Sequence, residues 1–327
     1  MSLRLLGASS LALSLALGCS STGTVGAPEP YVPSPDTDAQ DDIGFFLADF
    51  QSKMQLWNKL KLELDPGEDP REFHALERDL KRRARKRLPE LIETLEGGAP
   101  INRSTAAVAL GFTLYAEAVS PLLAALADDD ENVAQNAALG LGLLAWPRTN
   151  LAPLRYQLET HPHDGVRNNA AYALLEIASE ARRRDHDERA SGVTPLADAE
   201  ISAEERRERD AALAKTCREG LQDAHEGVRV QCAAILGLLR DAQAVAPLLE
   251  LLYDEWNLPA RAAATSLVHI AREHAEHRGP VARGLLVACD RVEDERCDAF
   301  RRQLARLSGR NFGDDMDEWR EWAYRLP

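Results

Sequence analysis

The sequence predicts an all-α protein, a solenoid of about six to seven stacked helical hairpins with capping helices. Three observations predict it: a composition dominated by alanine, leucine, arginine and glutamate, a motif that returns about every 31 residues, and a proline-marked motif ahead of most copies. Of the 327 residues, 45% are hydrophobic but only 6% aromatic, so a core can form, and it forms from small and aliphatic side chains suited to close helix contact.

The first motif is a run of small residues followed by a leucine. It occupies 102–111, 133–142, 166–175, 228–237, 259–268 and, in degenerate form, 296–305. The equivalent leucines are Leu110, Leu141, Leu174, Leu236, Leu267 and Leu304, at spacings of 31, 33, 62, 31 and 37. Because 62 is twice 31, the long interval keeps register and holds one missing or remodelled unit. The second motif places Pro121, Pro153 and Pro247 just ahead of Leu122, Leu154 and Leu248. Proline is tolerated in the first turn of a helix, where its missing N–H would have no intrahelical acceptor. Each repeat therefore reads as a proline-started helix, a short polar turn such as 128–132, and an alanine-rich second helix. One such hairpin cannot bury both of its faces, so it must stack on its neighbours.

These paired motifs resemble HEAT repeats, specifically the phycocyanobilin-lyase-like type, over about residues 87–307. The resemblance implies a right-handed α-solenoid. It also implies that an arginine of the second helix bonds a turn aspartate: here Arg103, Arg167 and Arg229 with Asp128 or Asp223, a structural ladder. It implies no single function, since such repeats serve many.

The flanks differ from the array. Residues 41–86 are expected to form N-terminal capping helices, the first of them carrying Ile43, Phe46, Leu47, Phe50, Met54 and Trp57 on one face. Residues 308–327 form a C-terminal cap in which Trp319 and Trp322 pack into the core. A charged insertion, 182–209, interrupts the array; it reads as a solvated loop leading into an extended helix and as a candidate for partner contact.

The N-terminus reads as an export signal. Arg4 precedes thirteen residues, 5–17, that are apolar, Gly or Ser, too few for the roughly 20 a membrane span needs. Residues 15–19, Leu-Ala-Leu-Gly-Cys, resemble a bacterial lipoprotein box, which implies removal of 1–18 and acylation of Cys19; Ser20 implies sorting to the outer membrane where one exists. Ordinary cleavage after Ala27 is the alternative. Residues 19–40 are linker-like, and the coil from 20 to 40 would reach roughly 25 Å. Loss of 1–18 leaves 38 Lys and Arg against 53 Asp and Glu, a formal charge of −15. That excludes general nucleic-acid affinity and disfavours charge-driven adhesion to anionic lipid, so membrane attachment would come from the N-terminal lipid.

Four clusters have the residue types of sites. Residues 81–87 hold six basic side chains around Ala84, but Glu77 and Lys81, Asp79 and Arg83, and Lys86 and Glu90 are four apart and can pair along a solvated helix. His269, Glu273, His274 and His277, with Glu276, place zinc-ligand chemistry on adjoining faces of a helix end, where imidazoles also complement the helix dipole. Cys217 with Cys232 and Cys289 with Cys297 each span one hairpin and read either as disulfides or as buried thiols. The 182–209 insertion is the fourth. No nucleophile elbow, phosphate loop, helical two-histidine zinc motif or dinucleotide fingerprint occurs, so no catalytic residue and no cofactor is expected. The sequence thus points to a membrane-anchored scaffold whose second helices dock an envelope protein or peptide; the alternative is an enzyme or a cofactor- or metal-handling protein of the lyase-like type.

Overall fold

The structure, a computed structural model, describes residues 42–63, 70–191 and 202–327, with the side chains of 63 and 185–191 excepted. Cys19 and the 19–40 linker lie outside the described residues. The described elements are helical, and they divide into two compact units, Met1–Thr149 and Asn150–Pro327.

In the first unit, α1 (Ile43–Glu63) buries Phe46, Leu47, Phe50, Met54 and Trp57, the stripe expected of a cap. Phe50 and Trp57 meet the Phe112 ring edge-on at 5.9 and 5.3 Å, which seats α1 against the end of α4 (Pro100–Gly111). α2 (Arg71–Lys86) buries only Leu80 and Ala84 and otherwise exposes its charge. Two hairpins follow, α3 (Leu88–Gly97) with α4, and α5 (Val119–Ala125) with α6 (Glu131–Leu144). α4 and α6 approach closely because glycines face each other: a Cβ on Gly140 would lie 2.4 Å from the Ala107 carbonyl oxygen, and one on Gly111 would lie 2.6 Å from the Gly140 carbonyl oxygen.

Among the described residues the second unit contains four hairpins: α7 (Ala152–Thr160) with α8 (Asp164–Ser191), α9 (Ala203–Gly220) with α10 (Glu226–Leu239), α11 (Val245–Leu251) with α12 (Asn257–Glu273), and α13 (Arg278–Cys289) with α14 (Asp294–Ser308). α15 (Met316–Tyr324) closes the end, with Trp319 fully buried and its indole N–H donated to the Gly313 carbonyl at 3.0 Å. Trp322 is half-buried. The long interval is remodelled: α9/α10 directly follows α7/α8. Where a solvated loop was expected from 182, α8 continues to Ser191 over 28 residues. α9 then starts at a capping box, the Ser202 hydroxyl accepting from the Glu205 N–H and the Glu205 carboxylate from the Ser202 N–H. Arg182 donates to Asp210 at 2.8 Å and ties the two lengthened helices together.

The repeats are joined by one recurring bond. Arg103 donates from Nε and Nη2 to the Asp128 carboxylate at 2.9 and 2.7 Å, Arg167 to Asp223 at 2.7 and 3.0 Å, and Arg229 to Asp254 at 2.7 and 2.9 Å. The third contact corrects the expected pairing: Asp223 is already held by Arg167, so Arg229 reaches one turn further, to Asp254. The remaining Nη1 binds carbonyls of the arginine's own turn, Gly98, His161 with Pro162, and Asp223 with Ala224. Each aspartate also accepts the N–H two residues on, from Asp130, His225 and Trp256 at 2.9, 2.8 and 2.9 Å. One arginine thus fixes two successive turns. Sequence separation across the bond is 25, 56 and 25, and the excess of 31 in the middle case is one repeat, so the ladder steps over the insertion without losing register. Burial raises the carboxyls of Asp128 and Asp223, but the arginines and the turn N–H groups outweigh it and hold both below the usual carboxylate range.

Two substitutions test this packing. Arg229→Ala leaves the nearly buried Asp254 carboxylate without its counter-charge, only the Trp256 N–H remaining, and is expected to cost about 3 kcal/mol in urea unfolding. The double change Arg229→Met with Asp254→Leu should cost less than the single one; a single-variant loss under about 0.5 kcal/mol would make the ladder ornamental. Gly140→Ala would gain about 1 kcal/mol from helix propensity alone. The contact with the Ala107 carbonyl predicts the opposite sign, a net loss of about 1–3 kcal/mol, and a raised melting temperature would contradict the close-approach reading.

Candidate interaction surface

The clusters singled out from sequence separate once folded. His269 lies on α12 and is largely buried; burial, then the charges of Arg240, Arg272 and Arg306, pull its pKa down to about 4, so it is neutral at pH 7. His274 caps α12 and its Nε2 sits 3.0 Å from the Arg240 carbonyl oxygen, while the His277 ring is 6.1 Å from that of His274. Glu273 is exposed. Among the described residues, no three His, Cys, Asp or Glu side chains are placed to hold a metal ion.

Cys289 and Cys297 form a disulfide across the α13–α14 turn. Cys217 and Cys232 are free thiols, fully buried between α9 and α10; burial, then the adjacent Cys232, pushes the Cys217 thiol well up and leaves it inert. The basic run of α2 is laced by pairs: Lys81 to Glu77 at 3.1 Å, Arg82 to Asp79, and Arg83 to Asp49 and Asp79. Arg85 donates to the Thr113 carbonyl at 2.8 Å, and Arg83 and Arg87 lie over the Phe46 ring, so the run also clasps the N-terminal cap.

A docking face formed by second helices is not available in the first unit. Ser104–Gly111 of α4 and Val133–Gly142 of α6 are buried throughout, because the small residues that permit close approach leave no side chain standing out. In the second unit α10 is likewise buried over most of its length, and α12 exposes Arg261, Arg272 and Glu273.

What the structure does expose on a rigid support is the turn between α11 and α12. Trp256 is the N-cap residue of α12 and is 54% exposed; Tyr253, three residues earlier, is 43% exposed, and the Arg291 guanidinium lies 5.7 Å from its ring. The Trp256 N–H is held by Asp254, which Arg229 clamps, so the ladder bond orders the backbone that carries the indole. The neighbouring α13–α14 turn is held to it, because Arg296 donates to the Asn257 side chain at 2.6 Å and to the Asp254 carbonyl at 2.7 Å. These aromatics went unnoticed in the sequence. The signal was present: the equivalent turn positions are Asp130, His163 and His225, so an aromatic at 256 breaks the polar pattern of the turns.

A sequence model of HEAT repeats matches residues 88–175. Comparison with curated protein sequences returns no match. Among solved structures, a chain from the work describing Kap95p binding to RanGDP superposes with a TM-score of 0.53 at 15% identity, covering 89% of this chain and 40% of that one. An engineered protein aligns with a TM-score of 0.49 at 22% identity, over 68% of this chain and 98% of its own, and a designed armadillo repeat protein with 0.47 at 20%, over 67% and 99%. Residues 88–175 therefore carry HEAT repeats, and the fold is an all-α solenoid of helical repeats.

Proposed function

We propose that this chain is a non-catalytic, protein-binding scaffold, carried to the cell envelope by the lipid on Cys19 and favouring the outer membrane where one exists. The observation that carries the binding role is the α11–α12 turn. Tryptophan, tyrosine and arginine are the residues that dominate binding energy at interfaces, and here Trp256 and Tyr253 stand on a turn already ordered by the Arg229–Asp254 bond, with Arg291 of the α13–α14 turn over the Tyr253 ring. A preordered anchor loses little conformational entropy when a partner covers it. The lipid role is supported by the export-like residues 1–18, by the cysteine that follows them, and by the acidic chain, which needs a tether to remain at an anionic surface. Among the described residues no helix is long and apolar enough to cross a membrane.

Crosslinking from a photoreactive residue at position 256, followed by capture from the envelope, tests both parts. One stoichiometric protein should be crosslinked, and Trp256→Ala should weaken its binding by about 2 kcal/mol without moving the melting curve. Cys19→Ala should shift the chain to the soluble fraction while leaving partner binding intact. Capture that is indifferent to Trp256 would remove the turn from the interface, and unchanged fractionation of Cys19→Ala would remove the lipid.

A further inference from the structure

Three second helices of the second unit, α10, α12 and α14, carry arginines at their ends that make no ion pair among the described residues. α10 finishes at Arg240, in the left-handed region at φ 59°, half-buried, its Nη1 donating to the Gly237 carbonyl of its own helix at 2.6 Å. His274, at the end of α12, approaches the Arg240 carbonyl oxygen at 3.0 Å, and Arg272 on the last turn of α12 donates to the Arg306 carbonyl of α14 at 2.7 Å. The ends of α10, α12 and α14 therefore lie side by side, with His269 among Arg240, Arg272 and Arg306. Arg182 of α8 also reaches this edge, but Asp210 neutralises it.

Helix dipoles account for cations at helix C-termini. They do not account for cations left without carboxylates in a chain that has 53 acidic residues against 39 basic ones. Among the described residues none of Arg240, Arg272 and Arg306 has a carboxylate within the 4.0 Å of an ion pair; the acidic group nearby, Glu273, acts on Arg240 only at longer range. Burial lowers the pKa of the Arg240 guanidinium first of all, Glu273 opposes this, and Arg182 and Arg272 push it further down. The charge is therefore held at a cost that a bound anion would remove.

We propose that this edge is a binding site for carboxylate side chains of an acidic, extended segment in the partner protein, one that takes Arg240, Arg272 and Arg306 in succession. The inference rests on the scaffold reading above and names the chemistry of its partner. Spacing favours a peptide over a single small anion. Neighbouring helix axes are about 8–10 Å apart and alternate side chains of an extended chain stand about 7 Å apart, so successive carboxylates can meet the three guanidiniums in turn, whereas one phosphate would have to draw all three together.

The probe is a fluorescein-labelled hexaglutamate peptide titrated into the full chain, with inorganic phosphate as competitor. Saturable, salt-sensitive binding is expected, weakened about tenfold by Arg306→Gln and by Arg272→Gln and unchanged by Arg82→Gln on the exposed basic face of α2. Arg272→Lys keeps the charge without the fork and should retain more binding than Arg272→Gln, which separates lost charge from lost packing. Absence of binding, equal loss in Arg82→Gln, or full displacement by millimolar phosphate would each overturn the assignment. A partner captured at position 256 whose affinity ignores Arg306→Gln would leave the scaffold reading standing and remove only this site.

Discussion

The structure depends on a two-pronged, charge-assisted bond from an arginine near the start of three of its second helices, α4, α8 and α10, to an aspartate in a following turn. A bidentate guanidinium–carboxylate pair fixes direction as well as distance, and its remaining N–H groups satisfy carbonyls that a helix start leaves open. The aspartate in turn holds the next helix's entry through the N–H two residues on. Hydrophobic burial drives the stacking of hairpins, but burial is not directional; the arginine specifies which turn meets which helix. At the copy between Arg103 and Arg167 the sequence has Ala134 and His161 at the arginine and aspartate positions, so the ladder residues are missing there.

That constraint sits beside a second one, close approach. Gly111 and Gly140 let α4 and α6 touch through backbone, and Gly237 does the same against Ser266 for α10 and α12. Close approach removes side chains from the surface, and the buried runs of α4 and α6 have no group with which to recognise a partner. Long side chains stand out instead at the turns and helix ends. Trp256 and Tyr253 belong to such a turn, and the Arg229–Asp254 bond that orders the array also holds the Trp256 N–H.

Much of the fold was legible in the sequence. The leucine spacing marks the hairpins, the aliphatic and aromatic stripe of 43–57 marks the buried face of α1, and Trp319 is core as expected. What was not legible has physical reasons. Asp254 was missed as the third ladder acceptor because its turn, with Glu255 and Trp256, lacks the residues that mark the others. Helix through 182–191 was missed because a charged, polar run is equally compatible with a solvated helix and a loop, and i,i+4 pairing such as Glu180 with Arg184 decides between them only once the helix exists. The histidine-rich helix end drew attention for its residue types, but His269 turns inward among three arginines while His274 caps the helix, so the types never converge.

Register across the insertion rests on the Arg167–Asp223 bond and not on burial alone. A double-mutant cycle on Arg167 and Asp223, using Arg167→Met and Asp223→Leu in urea unfolding, tests it most directly. A coupling free energy of about 2 kcal/mol is expected for this partly buried bidentate pair. A coupling indistinguishable from zero would mean that the hairpins on either side of residues 182–209 hold register by apolar packing alone.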